Sequence, residues 1–165
     1  SKYDPKKNQY KLINENEYRK TDEIASINNI AIKDLNEKNI PLINIFNKEK
    51  KFHFIINARV LLDCGLPELI ADVEKFCGKN SDFDYYLIYT HPYKEELKRS
   101  LKFFKFNVDP IFNIDPKRIL SFYSKSDDSL YPSITISLVD NNGNFVCDWK
   151  GDNFFKDVAK YFGLG

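Results

Sequence analysis

The 165-residue chain contains no methionine, one tryptophan, two histidines, three cysteines and six glycines, and its charges nearly cancel. Each scarcity excludes something. A chain without methionine does not begin at a native start codon and reads as either processed or trimmed, which leaves room for an upstream targeting segment that has been removed. Twenty-five Lys and Arg against 24 Asp and Glu leave a net charge of +1. That balance argues against a nucleic-acid or anionic-membrane footprint, both of which rest on an excess of basic charge. No apolar run approaches the ~20 residues of a membrane span. Three cysteines (Cys64, Cys77 and Cys147) are an odd number and exclude a complete disulfide framework. If residues 67–77 are helical, Cys64 and Cys77 stand ~20 Å apart along the axis, beyond the ~7 Å Cα separation a disulfide tolerates. With His53 and His91, these cysteines show no metal-ligand spacing, so neither a metal nor a cofactor is expected.

What is present is an apolar and aromatic chain, 42% hydrophobic and 15% aromatic, long enough for one well-packed domain. Residues 1–26 are polar, rich in lysine and asparagine, and lack sustained periodicity; they read as a tether, leaving 27–165 as the domain. Ile30, Ile32 and Leu35 suggest a short extended segment, Asn36–Asn39 a turn, and Pro41–Phe46 a strand or a short helix. Phe52–Ala58 fits a strand buried on both faces. Leu69, Ile70, Val73, Phe76 and Cys77 then recur at helical spacing, with Pro67 at the first helical position and Gly78 as the stop.

Tyr85–Tyr89 reads as a second buried strand. Pro92 opens another helix, whose core stripe is Leu97, Leu101 and Phe104. Alternation of strand and helix means parallel pairing. Residues 107–130 read as irregular, with one helical turn or short strand at Ile119–Tyr123. A hairpin follows: Ile134, Ile136 and Leu138 alternate with polar residues, Asn141–Asn144 turns, and Phe145–Trp149 returns. Gly151 and Asp152 cap a last helix carrying Phe154, Phe155, Val158, Ala159 and Phe162, closed by Gly163.

The stretch that bears most on chemistry is Asp63-Cys64-Gly65-Leu66-Pro67-Glu68, at the junction of the first long strand and the helix after it. The partial positive charge of a helix N-terminus stabilises a thiolate there. Two features oppose it. Asp63 is an adjacent carboxylate, and no Lys, Arg or His lies within three residues.

Order and spacing together resemble the thioredoxin fold. Tyr131-Pro132-Ser133 resembles that fold's cis-proline loop, and the turn at Asn141–Asn144 its D-x-x-G hairpin. Lys33–Asn36 and Ile40–Leu42 resemble the extra N-terminal β-structure of the TlpA/ResA-like and peroxiredoxin-related branch. The resemblance implies an α/β fold with a central mixed sheet flanked by helices. In that family a Trp-Cys-x-x-Cys motif lies where this chain has Asp63–Pro67. Cys64 matches the nucleophile, and Pro67 falls at the resolving cysteine. Ordinary dithiol exchange needs a second thiol to release the mixed disulfide. The resemblance therefore implies a degenerate site, with two readings open: a non-catalytic module binding a protein or peptide partner at Tyr131 and Pro132, or a one-cysteine oxidoreductase or peroxidase. It also implies a bacterial periplasmic or envelope setting, as a tethered lipoprotein anchored upstream of residue 1.

His91, after the second parallel strand, is conceivable as a base for Cys64, against the simpler reading of an exposed residue at a helix start. His53 reads as a satisfied core histidine, and Lys48–Lys51 as a solvated turn. The many Phe and Tyr residues read as core, with Tyr123, Tyr131 and Trp149 less readily placed.

Overall fold

The computed structural model describes residues 27, 30–59, 65–90, 93–115, 134–148 and 154–164. Strands β1 (Ala31–Lys33) and β2 (Asn39–Pro41) form an antiparallel two-stranded sheet. A 3-10 turn at Leu42–Asn44 leads to β3 (Phe52–Ala58). Then come α1 (Leu66–Lys79), β4 (Phe83–Tyr89), α2 (Lys94–Phe103) and the two-residue β5 (Ile111–Phe112). After the intervening segment stand β6 (Ile134–Asp140), β7 (Phe145–Asp148) and α3 (Phe154–Tyr161).

The main sheet has the order β5-β4-β3-β6-β7. β3 pairs in parallel with β4 from Phe52↔Phe83 to Ala58↔Tyr89, and antiparallel with β6 from Phe52↔Asp140 to Ala58↔Ile134. β5 adds in parallel to β4, so the segment expected to be irregular contributes the sheet's edge strand. Two residues of pairing leave too little alternation for a strand signal.

All seven residues of β3 are buried, because a core forms on each face of the sheet. On one face, Phe54 and Ile56 meet α1, α2 and α3 through Ile70, Val73, Leu97, Leu101 and Val158. Aromatic rings dominate here: Phe54 lies 5.4 Å from Phe76, 5.7 Å from Phe83 and 5.9 Å from Phe154, centroid to centroid. Burial of each such ring is worth ~1.5–3 kcal/mol. On the other face, Ile55, Ile88 and Val139 are covered by Ile27, Ile32, Leu42 and Phe46 from the N-terminal segment. That cover explains why Thr135 and Ser137, at the polar positions of the β6 alternation, are buried.

Local details depart from the expected pattern at three places. Pro67 is the second residue of α1, because Leu66 is already helical and fully buried. Gly78 does not end α1; the helix continues to Lys79 and is capped by Asn80, with no left-handed turn at the glycine. Phe104 leaves the core stripe of α2 and is exposed, because the helix ends at Phe103 and the chain turns there.

α2 and α3 close alike. The Phe106 N–H donates to Leu101 O (3.0 Å) and Lys105 N–H to Lys102 O (3.1 Å); Leu164 N–H donates to Ala159 O (2.7 Å) and Gly163 N–H to Lys160 O (3.2 Å). This pattern needs a left-handed residue at its bend. Gly163 supplies it at α3 (φ 68°), but at α2 it falls on Lys105 (φ 59°). The hairpin turn is organised by Asp140, whose Oδ1 accepts from the N–H groups of Asn142 (2.9 Å) and Asn144 (2.8 Å).

Candidate functional site

Three backbone segments converge on the edge at the C-terminal ends of β3 and β4. Ala58 ends β3 opposite both Tyr89 and Ile134, and the Thr90 N–H extends the ladder by donating to Ala58 O at 2.9 Å. α1 is the next described element after β3. Its N-cap is Gly65, at φ 86°, a left-handed conformation that favours glycine. Gly65 has no side chain with which to cap the helix. Pro67 removes one N–H from the first turn, and Glu68 adds a negative charge to it. Both weaken what this helix end offers to an anion.

The residues singled out in the sequence flank these points: Cys64 precedes Gly65, His91 follows Thr90, and Tyr131 and Pro132 stand three and two positions before Ile134. Cys64, His91, Tyr131 and Pro132 themselves lie outside the described residues, as do Asp63, Pro92, Tyr123, Trp149, Gly151, Asp152 and the segment Ile119–Tyr123. The structure brings Thr90 and Ile134, the described neighbours of His91 and Pro132, to one sheet edge, and Gly65 follows the end of β3 by seven residues.

Behind that edge, under the N-terminal segment, is a buried polar group that the sequence reading missed. Thr90 Oγ1 donates to Asn57 Oδ1 (3.4 Å) and accepts from Asn113 Nδ2 (3.3 Å). Asn113 Oδ1 in turn accepts from the Lys33 N–H (3.1 Å), and Ile114 N–H donates to Lys33 O (2.9 Å). Asn113 thereby ties β1 to the chain just after β5. Thr135, the cross-strand neighbour of Asn57, is buried with its hydroxyl making no hydrogen bond. The available signal was Asn57 interrupting an otherwise apolar strand.

At the opposite end of β3, on the same face, His53 is fully buried. Its Nδ1 meets Asp84 Oδ1 and its Nε2 meets Asn141 Oδ1, both at 2.5 Å. Asn141 donates its amide to Lys48 O (3.3 Å), which turns its oxygen toward the ring. Phe46 stacks on the imidazole at 4.2 Å, and the Tyr86 hydroxyl donates to Asp84 Oδ2 at 2.7 Å and accepts from the Asn47 N–H at 2.7 Å. Every polar atom of the ring is engaged. The arrangement clamps the Phe46–Lys48 segment onto the sheet, and His53 is the core histidine expected.

Cys77 is a free, half-buried thiol eleven residues beyond Leu66, about 16 Å along the helix. Burial, with Asp84 and Glu74 adding repulsion, pushes its pKa up to about 12, so it stays protonated and inert at neutral pH. Among the described residues, no group of His, Cys, Asp and Glu could hold a metal ion, and no helix is long and apolar enough to cross a membrane.

No known family profile matches the chain, and no curated protein matches it. Solved structures do. The thioredoxin domain of a thiol-disulfide oxidoreductase from Bacteroides vulgatus superposes with a TM-score of 0.58 at 20% identity, over 80% of this chain and 91% of that one. A thiol:disulfide interchange protein from Bacteroides sp. gives 0.59 at 18%, over 84% and 90%. An exposed lipoprotein thioredoxin of Streptococcus pneumoniae gives 0.53 at 14%, over 81% and 98%. The chain has the thioredoxin fold, with an N-terminal β-hairpin added on one face of the sheet.

Proposed function

We propose that this chain is a thioredoxin-fold module of the bacterial cell envelope that has lost dithiol chemistry and binds a protein partner at the strand-end edge. The observation that carries this reading is Pro67 in the first turn of α1. It stands where a dithiol site needs its resolving cysteine, and a proline can neither attack nor release a mixed disulfide. The partner-binding edge in this proposal is the segment at Tyr131 and Pro132 leading into β6, presented to an extended peptide. Residues 1–26 act as a tether to a lipid anchor upstream. The envelope setting is supported by the thioredoxin resemblance and by the pneumococcal lipoprotein among the similar structures.

A second reading is supported by the retained Cys64, directly before the Gly65 N-cap. Its thiolate would attack a substrate disulfide, expelling one thiolate and forming a mixed disulfide that an external thiol then resolves. Alkylation rate against pH separates the two. Burial keeps the Cys77 thiol protonated at neutral pH, and a Cys64→Ser control isolates the Cys64 signal. The non-catalytic module predicts a Cys64 titration no lower than the ~8.5 of a free thiol, and no catalysis of insulin reduction. A Cys64 pKa well below that value, lost in Cys64→Ser, would establish the one-cysteine enzyme instead.

A further inference from the structure

The turn that ends α2 exposes aromatic side chains that the proposed partner edge does not use. Phe106 is anchored against the main core; Phe104 stacks on it at 5.7 Å and 18°, and Phe103 packs edge-on against Phe104 at 5.2 Å. The series runs outward from the core: Phe104 is 44% exposed and Phe103 79%. The backbone beneath is fixed by the two turn hydrogen bonds to Leu101 and Lys102, and by Asn107 N–H donating to Glu74 Oε1 at 3.0 Å. That carboxylate also accepts from the Tyr85 hydroxyl (2.6 Å). The aromatic pair is therefore a preformed wedge.

Charge gathers around it. Residues 94–106 hold Lys94, Lys98, Arg99, Lys102 and Lys105 against Glu95 and Glu96, a local +3 in a chain whose total is +1. Lys98, Arg99, Lys102 and Lys105 are all exposed. The single ion pair described within this set, Arg99 with Glu96 at 3.7 Å, lies between exposed groups and is weak. The near-neutral whole-chain charge concealed this concentration.

We propose that Phe103 and Phe104, with Lys98, Arg99, Lys102 and Lys105, form a docking wedge for an anionic lipid surface. The rings protrude, Phe103 being 79% exposed, and carry no polar handle, while the side chains around them are cationic. The interfacial region of a bilayer takes up such rings, and its anionic headgroups complement the cations. α2 runs about 15 Å back from the strand-end edge, and the chain after it meets Glu74, deep in α1. Docking through the wedge, at the far end of α2, therefore turns the Thr90–Ile134 edge away from the lipid. The inference does not depend on the chemistry of Cys64.

Co-sedimentation of the full chain, with no lipid attached, is the test. Vesicles of phosphatidylcholine with 30–40% phosphatidylglycerol, roughly, are compared with pure phosphatidylcholine at low salt. Binding is expected to the anionic vesicles alone. It should fall about tenfold or more in Phe103→Ser/Phe104→Ser and to a similar extent in Lys102→Glu/Lys105→Glu, whose side chains are exposed and leave the core intact. As an independent readout, the emission of Phe103→Trp, introduced together with Trp149→Phe, should blue-shift and be quenched by brominated lipid. The proposal is overturned if the unmodified chain does not bind anionic vesicles, if both double variants bind as it does, or if Phe103 instead drives a dimer that excludes vesicles.

Discussion

Replacement of His53 by alanine tests the clamp that holds the N-terminal segment to the sheet. The side chain is fully buried, and its loss removes the bond to Asp84, the bond to Asn141 and the stack on Phe46 together. A hydrogen bond to a charged group is worth about 1.5–3 kcal/mol; Asp84 keeps a fifth of its exposure, which places its share at the lower end. The Asn141 bond adds about 1 kcal/mol, and the vacated ring volume about 1–2 kcal/mol. The expected loss is about 4 kcal/mol, or roughly 12 °C in Tm for a domain of this size. Urea unfolding followed by circular dichroism measures it. A cycle with Asp84→Asn should return a coupling near 1.5 kcal/mol, since the two groups share one bond. A cost below about 1 kcal/mol, or strict additivity in the cycle, would refute the assignment of this cluster as a clamp.

Two further outcomes follow from backbone geometry and burial. Lys105→Gly relieves a left-handed residue at the end of α2, so stability should rise by about 0.5–1 kcal/mol, read as a higher urea midpoint; a fall would show that the lysine side chain contributes more than its strain costs. The raised pKa of Cys77 means that the fold favours the protonated thiol. Its contribution is complete below its ordinary value of 9.0 and is lost as pH rises from there toward about 12. Tyr86, pushed up by burial from 10.0 to about 12, acts in the same direction over the upper part of that window. Cys77→Val should therefore lose less stability between pH 8 and pH 11, roughly, than the unmodified chain; equal losses would exclude the thiol as a contributor.

Much of the architecture was legible because periodicity reports local burial. The apolar run Phe52–Ala58, the stripe Ile70–Val73–Phe76 and the spacing Phe154–Val158 each specify an element and the side it buries, and all three pack as read. Terminal details were less legible. Gly78 was expected to stop α1, but a glycine does so only when it takes the left-handed conformation, and Asn80 caps the helix instead. Phe104 continued the α2 spacing in sequence, yet the turn at Lys105 carried it outward.

The sequence by itself determined the order of strands and helices, the start of a helix within a residue of Pro67, and the absence of a second thiol at position 67. These rest on residue type and on neighbours a few positions away. Only the tertiary structure decided what covers the second face of the main sheet, and that cover buries Thr135 and Ser137 at the polar positions of the β6 alternation. It alone joined His53 to Asp84 and Asn141, and Asn113 to Lys33, since these partners are 31, 88 and 80 residues apart. Periodicity carries information about which side of an element is buried; what buries it depends on contacts between segments distant along the chain.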